Sequence, residues 1–258
     1  MTRTRHRLLP LLAGLAAALL VLLAYAAVLR LALTSSYRGA NDFSIPWRAT
    51  QALLWEGRNP YGPEVTAEIQ QTLFDRTRGP EEHQFDFAYP LTLAPLLAPY
   101  TLFDYEWAQP LWQATLHLLL VGALLLWVRS WRDDFPSPVA FAALALWTLS
   151  VYPAARAFLL GQVAVLVFAA LALASWALVR RHDVLAGTAL AIATVKPQLA
   201  FLIVPLLLAV AWRADRRRVV WAFAATLSIL VLVSLALHPA SLALTIYAVR
   251  PPARVSVR

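Results

Sequence analysis

Four polar residues stand beside long apolar segments of this sequence, where a charged or amide side chain is costly. They are Asp42 in "ANDFS", Arg156 and Gln162 in "RAFLLGQ", and Lys196 in "TVKPQ". A carboxylate can act as a general base on a hydroxyl group. Cations and the free N–H groups at a helix start can bind an anion. These residue types therefore predict a site that holds an anionic substrate and deprotonates a hydroxyl group.

Each of these residues also has a plainer explanation, and the residues alone leave both readings open. Asp42 can cap a helix that begins near it, and Arg156 can anchor a segment at the membrane interface. Lys196 precedes Pro197, and a lysine at a turn can extend its ammonium to the membrane surface. Lys196 is, however, the only lysine among 22 lysine and arginine residues. This exception favours a position that requires a compact ammonium rather than a guanidinium.

Further polar candidates lie in turns or next to the lysine. Tyr61 in "GRNPYG" and Tyr89 in "FDFAYP" occupy turn sequences in which tyrosine can also anchor at the membrane interface. His83 in "PEEHQ" can bind a metal or move protons, but no second histidine stands at ligand spacing, and a surface histidine is the alternative. Gln198 follows the Lys-Pro pair. The chain has no cysteine, which excludes a thiolate metal site and a cysteine nucleophile, and we expect no metal.

The elements that position these residues are predicted from composition. The 258 residues are 60% hydrophobic and 14% charged, whereas soluble domains carry about 25% charged residues. These values indicate an all-α polytopic membrane protein. The net charge of +8 does not indicate nucleic-acid binding, because the arginines cluster in short loops beside apolar segments, as membrane topology requires.

Eight apolar windows predict the helices, and four of them are shorter than the roughly 20 residues of a full crossing. The windows are Leu8–Leu33, Leu91–Phe103, Trp107–Val128, Val139–Val151, Val163–Val179, Val184–Val195, Leu199–Trp212 and Val219–Leu237. The first window is longer than the apolar core of a cleaved signal peptide, so we interpret it as an uncleaved transmembrane helix rather than as a cleaved signal.

Orientation follows from the loops that are rich in arginine. We predict that four such loops are cytoplasmic: Arg3/Arg5/Arg7, Arg129/Arg132, Arg180/Arg181 and Arg213/Arg216/Arg217/Arg218. The segment Tyr152–Gln162 then becomes an outer loop, and Lys196 lies at the outer tip of a hairpin. The window Leu91–Phe103 must enter the membrane and return on the same side. The alternative is a true crossing, which would place Arg129 outside.

The segment Thr34–Tyr89 carries 8 of the chain's 14 acidic residues and is too long for a plain connection. Two stretches within it, "FSIPWRATQALLWEG" and "PEVTAEIQQTLFDRT", have apolar residues at helical spacing. They predict two amphipathic helices that lie on the membrane surface. Trp47 and Trp55 are expected to anchor the first of them at the interface.

The order of these motifs resembles glycosyltransferase family 87, whose members include bacterial mannosyltransferases that use polyprenyl-phosphate mannose. The matching features are the acidic residue after the first helix, "GRNPYG", the aromatic-Tyr-Pro entry, "GQ" and "KPQ". They run from about Arg30 to about Trp212. The resemblance implies one GT-C-like transmembrane helix bundle over residues 1–258. Its parts would be a first helix at 8–33, an extracytoplasmic loop at 34–89, a bundle at 90–237 and a tail at 238–258. Members are usually longer, so we expect the chain to be truncated at its C-terminus or minimal.

The resemblance also implies a function. It would be transfer of a hexose, expected to be mannose, from a polyprenyl-phosphate donor to a lipid or glycan acceptor, with inversion. The site would face the extracytoplasmic side of the bacterial plasma membrane. Asp42 would be the catalytic base, and Lys196, Arg156 and Gln162 would hold the donor phosphate. The substrate pocket would include Tyr61, Tyr89, Gln198 and His83.

The expected partners are the lipid-linked donor, the acceptor and membrane lipids, with no cofactor, metal or nucleic acid. Two other functions remain open from the sequence. A transporter or flippase of a lipid-linked anion would also use broken helices and buried cations. It would not need a long structured acidic loop, and the sequence shows no internal repeat. A non-catalytic membrane subunit is the third hypothesis.

Overall fold

The computed structural model describes residues 2–36, 41–131 and 137–239, and these residues are mostly helical, with no strand among them. The predicted tail from residue 240 onward and Arg132 lie outside the described residues. The helices are α1 Thr2–Leu29, α2 Asn41–Glu56, α3 Pro63–Phe74, α4 Ala94–Leu97, α5 Tyr105–Trp131, α6 Pro138–Ser150, α7 Tyr152–Leu160, α8 Ala164–Val179, α9 Asp183–Ala193, α10 Pro197–Ala200, α11 Ile203–Arg213 and α12 Arg217–Leu237.

Among the described residues, three apolar stretches are long enough to cross a membrane: Leu12–Thr34, Tyr105–Ser130 and Arg217–Leu237. The first combines α1 with a π-helical turn, Arg30–Thr34. Helices α6 and α7 together form a fourth candidate that is bent by 63°. Helices α8, α9 and α11 are apolar but shorter. Each predicted apolar window contains helix, and the short windows remain short helices, but the window Leu199–Trp212 is divided by a turn at 201–202 between α10 and α11.

Helix α7 corrects the sequence prediction, which treated the segment from Tyr152 to Gln162 as a loop. Val151 is extended and ends α6, and a proline in the first turn starts the next helix. Gly161 then adopts a left-handed conformation, with φ of 68°, and ends α7. Because the helix is only 9 residues long, its apolar pattern is too short to be distinguished from a loop by sequence.

The core of the bundle is α5, α8, α9 and α12, which pack in that order. Small side chains allow the close approach: α8 buries a row of alanines, and α9 presents Gly187 to α12. A Cβ at position 187 would overlap the Val219 carbonyl oxygen and lie 2.7 Å from the Phe223 backbone nitrogen. The hydroxyls of Thr188 and Thr226 are 3.2 Å apart across the same interface.

The bundle has two chemically different ends. At one end Arg180 donates to the Arg129 carbonyl oxygen at 3.3 Å, and Arg216 donates to the Leu178 carbonyl oxygen at 2.7 Å and to Asp183. Three of the predicted basic loops therefore meet there. The other end holds the start of α8, about 24 Å away by helix length. The grouping of the basic loops agrees with the topology predicted from arginine.

The outer segment folds as a packed unit. Helices α2 and α3 are confirmed, but their apolar faces are buried against each other and against Phe87 and Leu91. The expectation that both helices rest these faces on lipid is therefore wrong for the buried residues. Arg48 and Arg58 both pair with Glu56 and with Glu68, which ties the two helices together.

The segment Leu91–Leu102 consists of α4 flanked by two 3₁₀ turns. The indole N–H of Trp47 donates to the Tyr100 carbonyl oxygen at 3.1 Å, and that of Trp55 donates to the Thr101 hydroxyl at 3.0 Å. The two tryptophans thus fasten α2 to the end of this segment. Since its start also packs on α2 and α3, both ends lie on the outer unit, and the geometry favours the re-entrant prediction over a crossing.

Candidate active site

Asp42 lies in the first turn of α2, where the positive end of the helix dipole favours a carboxylate. Its Oδ2 accepts a hydrogen bond from the Gln162 Nε2 at 2.8 Å. The bond joins residues that are 120 positions apart and links the outer unit to the bundle. The predicted base and a predicted phosphate-binding residue are therefore direct neighbours.

The turn that carries Gln162 is held by α5. The buried indole of Trp112 donates to the Gly161 carbonyl oxygen at 2.8 Å, and Gln113 donates to the Phe158 carbonyl oxygen at 3.2 Å. The Gln162 backbone N–H closes the turn by donating to the Ala157 carbonyl oxygen at 2.8 Å. Trp112 and Gln113 were missed by sequence reasoning. The signal was present, because an amide inside an apolar helix calls for a functional or tertiary explanation.

Lys196 lies between α9 and α10, with its ammonium nitrogen 5.8 Å from the centroid of the Tyr89 ring. It is half-buried, and burial lowers the pKa of its ammonium, while attraction to Asp42 opposes that change. Burial and, to a smaller extent, the negative charge of Asp42 raise the pKa of Tyr89 to about 12. Lys196, Tyr89 and Asp42 are thus close enough to share one electrostatic environment.

Arg156 projects from α7 on the same side. It is exposed, and its guanidinium donates to the Tyr152 hydroxyl at 2.8 Å. It also attracts Asp42 electrostatically. The site therefore has one carboxylate, an amide bonded to it, and two cations near it. Such a set can accept a proton from one group and hold an anion beside it.

The remaining predicted residues lie outside this cluster. The Tyr61 hydroxyl donates to the Tyr89 carbonyl oxygen at 2.9 Å, so Tyr61 holds the backbone of Tyr89 in place. Gln198 is exposed on α10, two residues beyond Lys196. His83 is exposed in the outer unit, where its Nδ1 accepts from the Phe85 N–H at 3.2 Å. Within the described residues no three His, Asp or Glu side chains are grouped so as to hold a metal.

Apolar helices that surround a polar site at one end of a bundle define an integral membrane protein with a site at its surface. The model of glycosyltransferase family 87 matches residues 87–247, more than half of the chain. The chain therefore belongs to glycosyltransferase family 87 and is a membrane glycosyltransferase. The match includes Tyr89, Arg156, Gln162 and Lys196 and begins after Asp42. No curated protein and no solved structure matches the chain.

Proposed function

We propose that the protein transfers a hexose, with mannose as the first candidate, from a polyprenyl-phosphate donor to a lipid or glycan acceptor. The observation that supports this most is the Asp42–Gln162 hydrogen bond with Lys196 and Arg156 in electrostatic reach of the carboxylate. A base next to cations fits a donor whose leaving group is a phosphate.

In the proposed step, Asp42 accepts the proton of the acceptor hydroxyl while that oxygen bonds to the anomeric carbon. The bond between the anomeric carbon and the phosphate oxygen breaks, and its electron pair leaves with the phosphate. Lys196 and Arg156 stabilise the charge that this phosphate gains. Gln162 holds the carboxylate in place. Attack from the face opposite the phosphate inverts the anomeric centre.

We propose that the site faces the extracytoplasmic side of a bacterial plasma membrane. The clustered loops of Arg129, Arg180 and Arg216 lie at the opposite end of the bundle. Because arginine-rich short loops are retained in the cytoplasm, the end with Asp42 would face outward. A lipid-linked donor and its acceptor would both reach the site along the membrane surface.

The Asp42→Asn variant tests the proposed base. Membranes that contain the wild-type chain are supplied with radiolabelled polyprenyl-phosphate hexoses, and transfer to endogenous lipid and glycan acceptors is measured. Loss of a general base should lower the rate by about 100-fold or more. Glu64→Gln is the matched control, because Glu64 is an exposed acidic residue in the first turn of α3, and it should transfer at the wild-type rate.

Two results would contradict the proposal. Full transfer by the Asp42→Asn protein, with wild-type expression and melting temperature, would remove Asp42 from the role of base. A wild-type chain that moves the labelled donor across vesicle membranes without transferring its sugar would favour a lipid-linked-anion transporter instead.

A further inference from the structure

A polar groove lies in the outer unit, between α3 and the segment 77–86. Its volume is about 350 Å³, and it is lined by Tyr61, Pro63, Thr66, Ala67, Gln70, Thr77, Gln84 and Asp86. None of the residues that bond or attract Asp42 lines it. The groove is therefore a separate concavity of the outer unit, and the proposed transfer step gives it no role.

The floor of the groove is fixed by two glutamines. Gln70 is only 3% exposed and donates to the Gln84 carbonyl oxygen at 2.7 Å, while its own oxygen accepts from the Arg78 N–H at 2.8 Å. Gln84 in turn donates to the Gly79 carbonyl oxygen at 2.8 Å. Amides that are bonded at both ends make a rigid, preorganised surface.

The rim of the groove carries polar groups that, unlike the two glutamines, are not occupied by hydrogen bonds among the described residues. The Asp86 carboxylate and the hydroxyls of Thr66 and Thr77 make no hydrogen bond or ion pair within the described part of the chain. Glu56, Glu68 and Glu82 of the outer unit are, by contrast, paired with arginines. A carboxylate and two hydroxyls are thus available to a ligand above a floor that is already satisfied.

Asp86 follows a residue with an unusual backbone conformation. Phe85, which precedes it, has a φ of 54°, a left-handed conformation that is costly for an aromatic residue. His83 accepts from the Phe85 N–H, and the Phe85 ring lies 4.8 Å from that of Phe74, between centroids. These contacts hold the strained residue, so His83 acts as a support of the groove.

We infer that this groove binds a sugar ring of the acceptor, an inference that rests on the proposed function. A hexose presents hydroxyls that donate and accept, beside C–H faces. The Asp86 carboxylate and the two threonine hydroxyls match the former, and Tyr61 and Pro63 offer apolar surface to the latter. Tyr61 also leads to the transfer site, because its hydroxyl is bonded to Tyr89, whose ring faces Lys196.

Binding is tested without transfer, on the full chain in nanodiscs. Saturation-transfer NMR measures the contact of the methyl glycosides of mannose, glucose and galactose with the wild-type protein, with glycerol as the non-ring control. At least one glycoside should bind, and Asp86→Asn and Thr66→Val should each weaken that binding by about tenfold. Asp75→Asn is the matched control, since Asp75 is exposed at the end of α3, and it should bind like the wild type.

The same measurement on the Asp42→Asn protein separates this inference from the proposed transfer. Unchanged glycoside binding by that variant supports an acceptor groove that is distinct from the base, even if no donor is ever transferred. In transfer assays, Asp86→Asn should raise the acceptor KM by about tenfold and leave the donor KM unchanged. Three results would overturn the inference that the groove binds an acceptor sugar. They are the absence of binding by every glycoside, equal binding by the Asp75 and Asp86 variants, and a change in the donor KM alone.

Discussion

Two properties distinguish Lys196 from a plain surface residue. It is the chain's only lysine, and burial lowers the pKa of its ammonium although Asp42 attracts it. The neighbouring Tyr89 ring at 5.8 Å offers a cation–π contact. A lysine whose ammonium simply extended into solvent would stay hydrated, and its pKa would not be lowered by burial. The partial burial therefore favours a site in which this ammonium binds an anionic substrate.

The residue-scale prediction concerns donor binding and pH. Because the proposed donor contact needs the ammonium, donor affinity should fall as the pH rises through the lowered pKa of Lys196. Lys196→Ala should raise the donor KM by about 10–100-fold at neutral pH. Lys196→Arg should remove the alkaline fall, because arginine stays charged. The measurement is donor KM from about pH 7 to about pH 10.

Arg218→Ala is the control for this series, since Arg218 is an exposed cation at the start of α12, at the opposite end of the bundle. It should keep both the donor KM and its pH profile. An alkaline fall that persists unchanged in the Lys196→Arg protein would show that another group titrates, and Lys196 would then be a turn residue.

At the level of residues, the sequence identified polar side chains because they contrast with an apolar background. Asp42, Gln162 and Lys196 are visible for that reason. Their neighbourhood is not visible, because Asp42 and Gln162 are 120 positions apart and no local pattern encodes such a pair. Asp86 was also missed: it is one of 8 acidic residues in its segment, and only the structure shows which of them are paired.

At the level of elements, the backbones of α9 and α12 approach each other closely at Gly187. Gly187→Ala adds a Cβ where the Val219 oxygen and the Phe223 nitrogen leave no room. Overpacking of this kind costs about 1–3 kcal/mol or more. We expect the melting temperature of the detergent-solubilised protein to fall by about 5–10 °C, together with a loss of transfer, because α9 leads directly to Lys196.

Gly122→Ala provides the matched comparison for this helix prediction. Gly122 lies within α5, and a Cβ there meets no atom within 4 Å, so the change should be neutral or slightly stabilising through helix propensity. Equal melting temperatures for the two alanine variants would mean that α9 and α12 do not pack this closely.

The helices themselves were well predicted, because hydropathy marks long apolar windows to within a few residues. Helix α5, for example, occupies Tyr105–Trp131, where the window was Trp107–Val128. Packing was less visible. Helices α2 and α3 have amphipathic patterns that suit lipid or protein equally, and only tertiary contacts showed that their apolar faces meet each other and Phe87.

At the level of the whole molecule, charge and site lie at opposite ends. Helix α8 begins beside Gln162 and ends beside Arg180, and α9 begins beside Arg216 and leads to Lys196. A transferase that uses a lipid-linked donor gains from this arrangement. If the basic end is held in the cytoplasm by the rule that orients the helices, the proposed site, with its carboxylate and cations, lies at the outer surface.

The last prediction tests this orientation with single engineered cysteines, because the chain has none of its own. Gln71, Gln198, Ser137 and Ala214 are exposed, and each is replaced in turn. A membrane-impermeant maleimide added to intact cells should label Gln71→Cys and Gln198→Cys, which lie on the outer unit and near Lys196. Ser137→Cys and Ala214→Cys should react only after permeabilisation. External labelling of Gln71→Cys, Ser137→Cys and Ala214→Cys, with Gln198→Cys protected, would show that Leu91–Leu102 crosses the membrane. A full reversal of the four results would place the Asp42 site in the cytoplasm and would rule out an extracytoplasmic transferase.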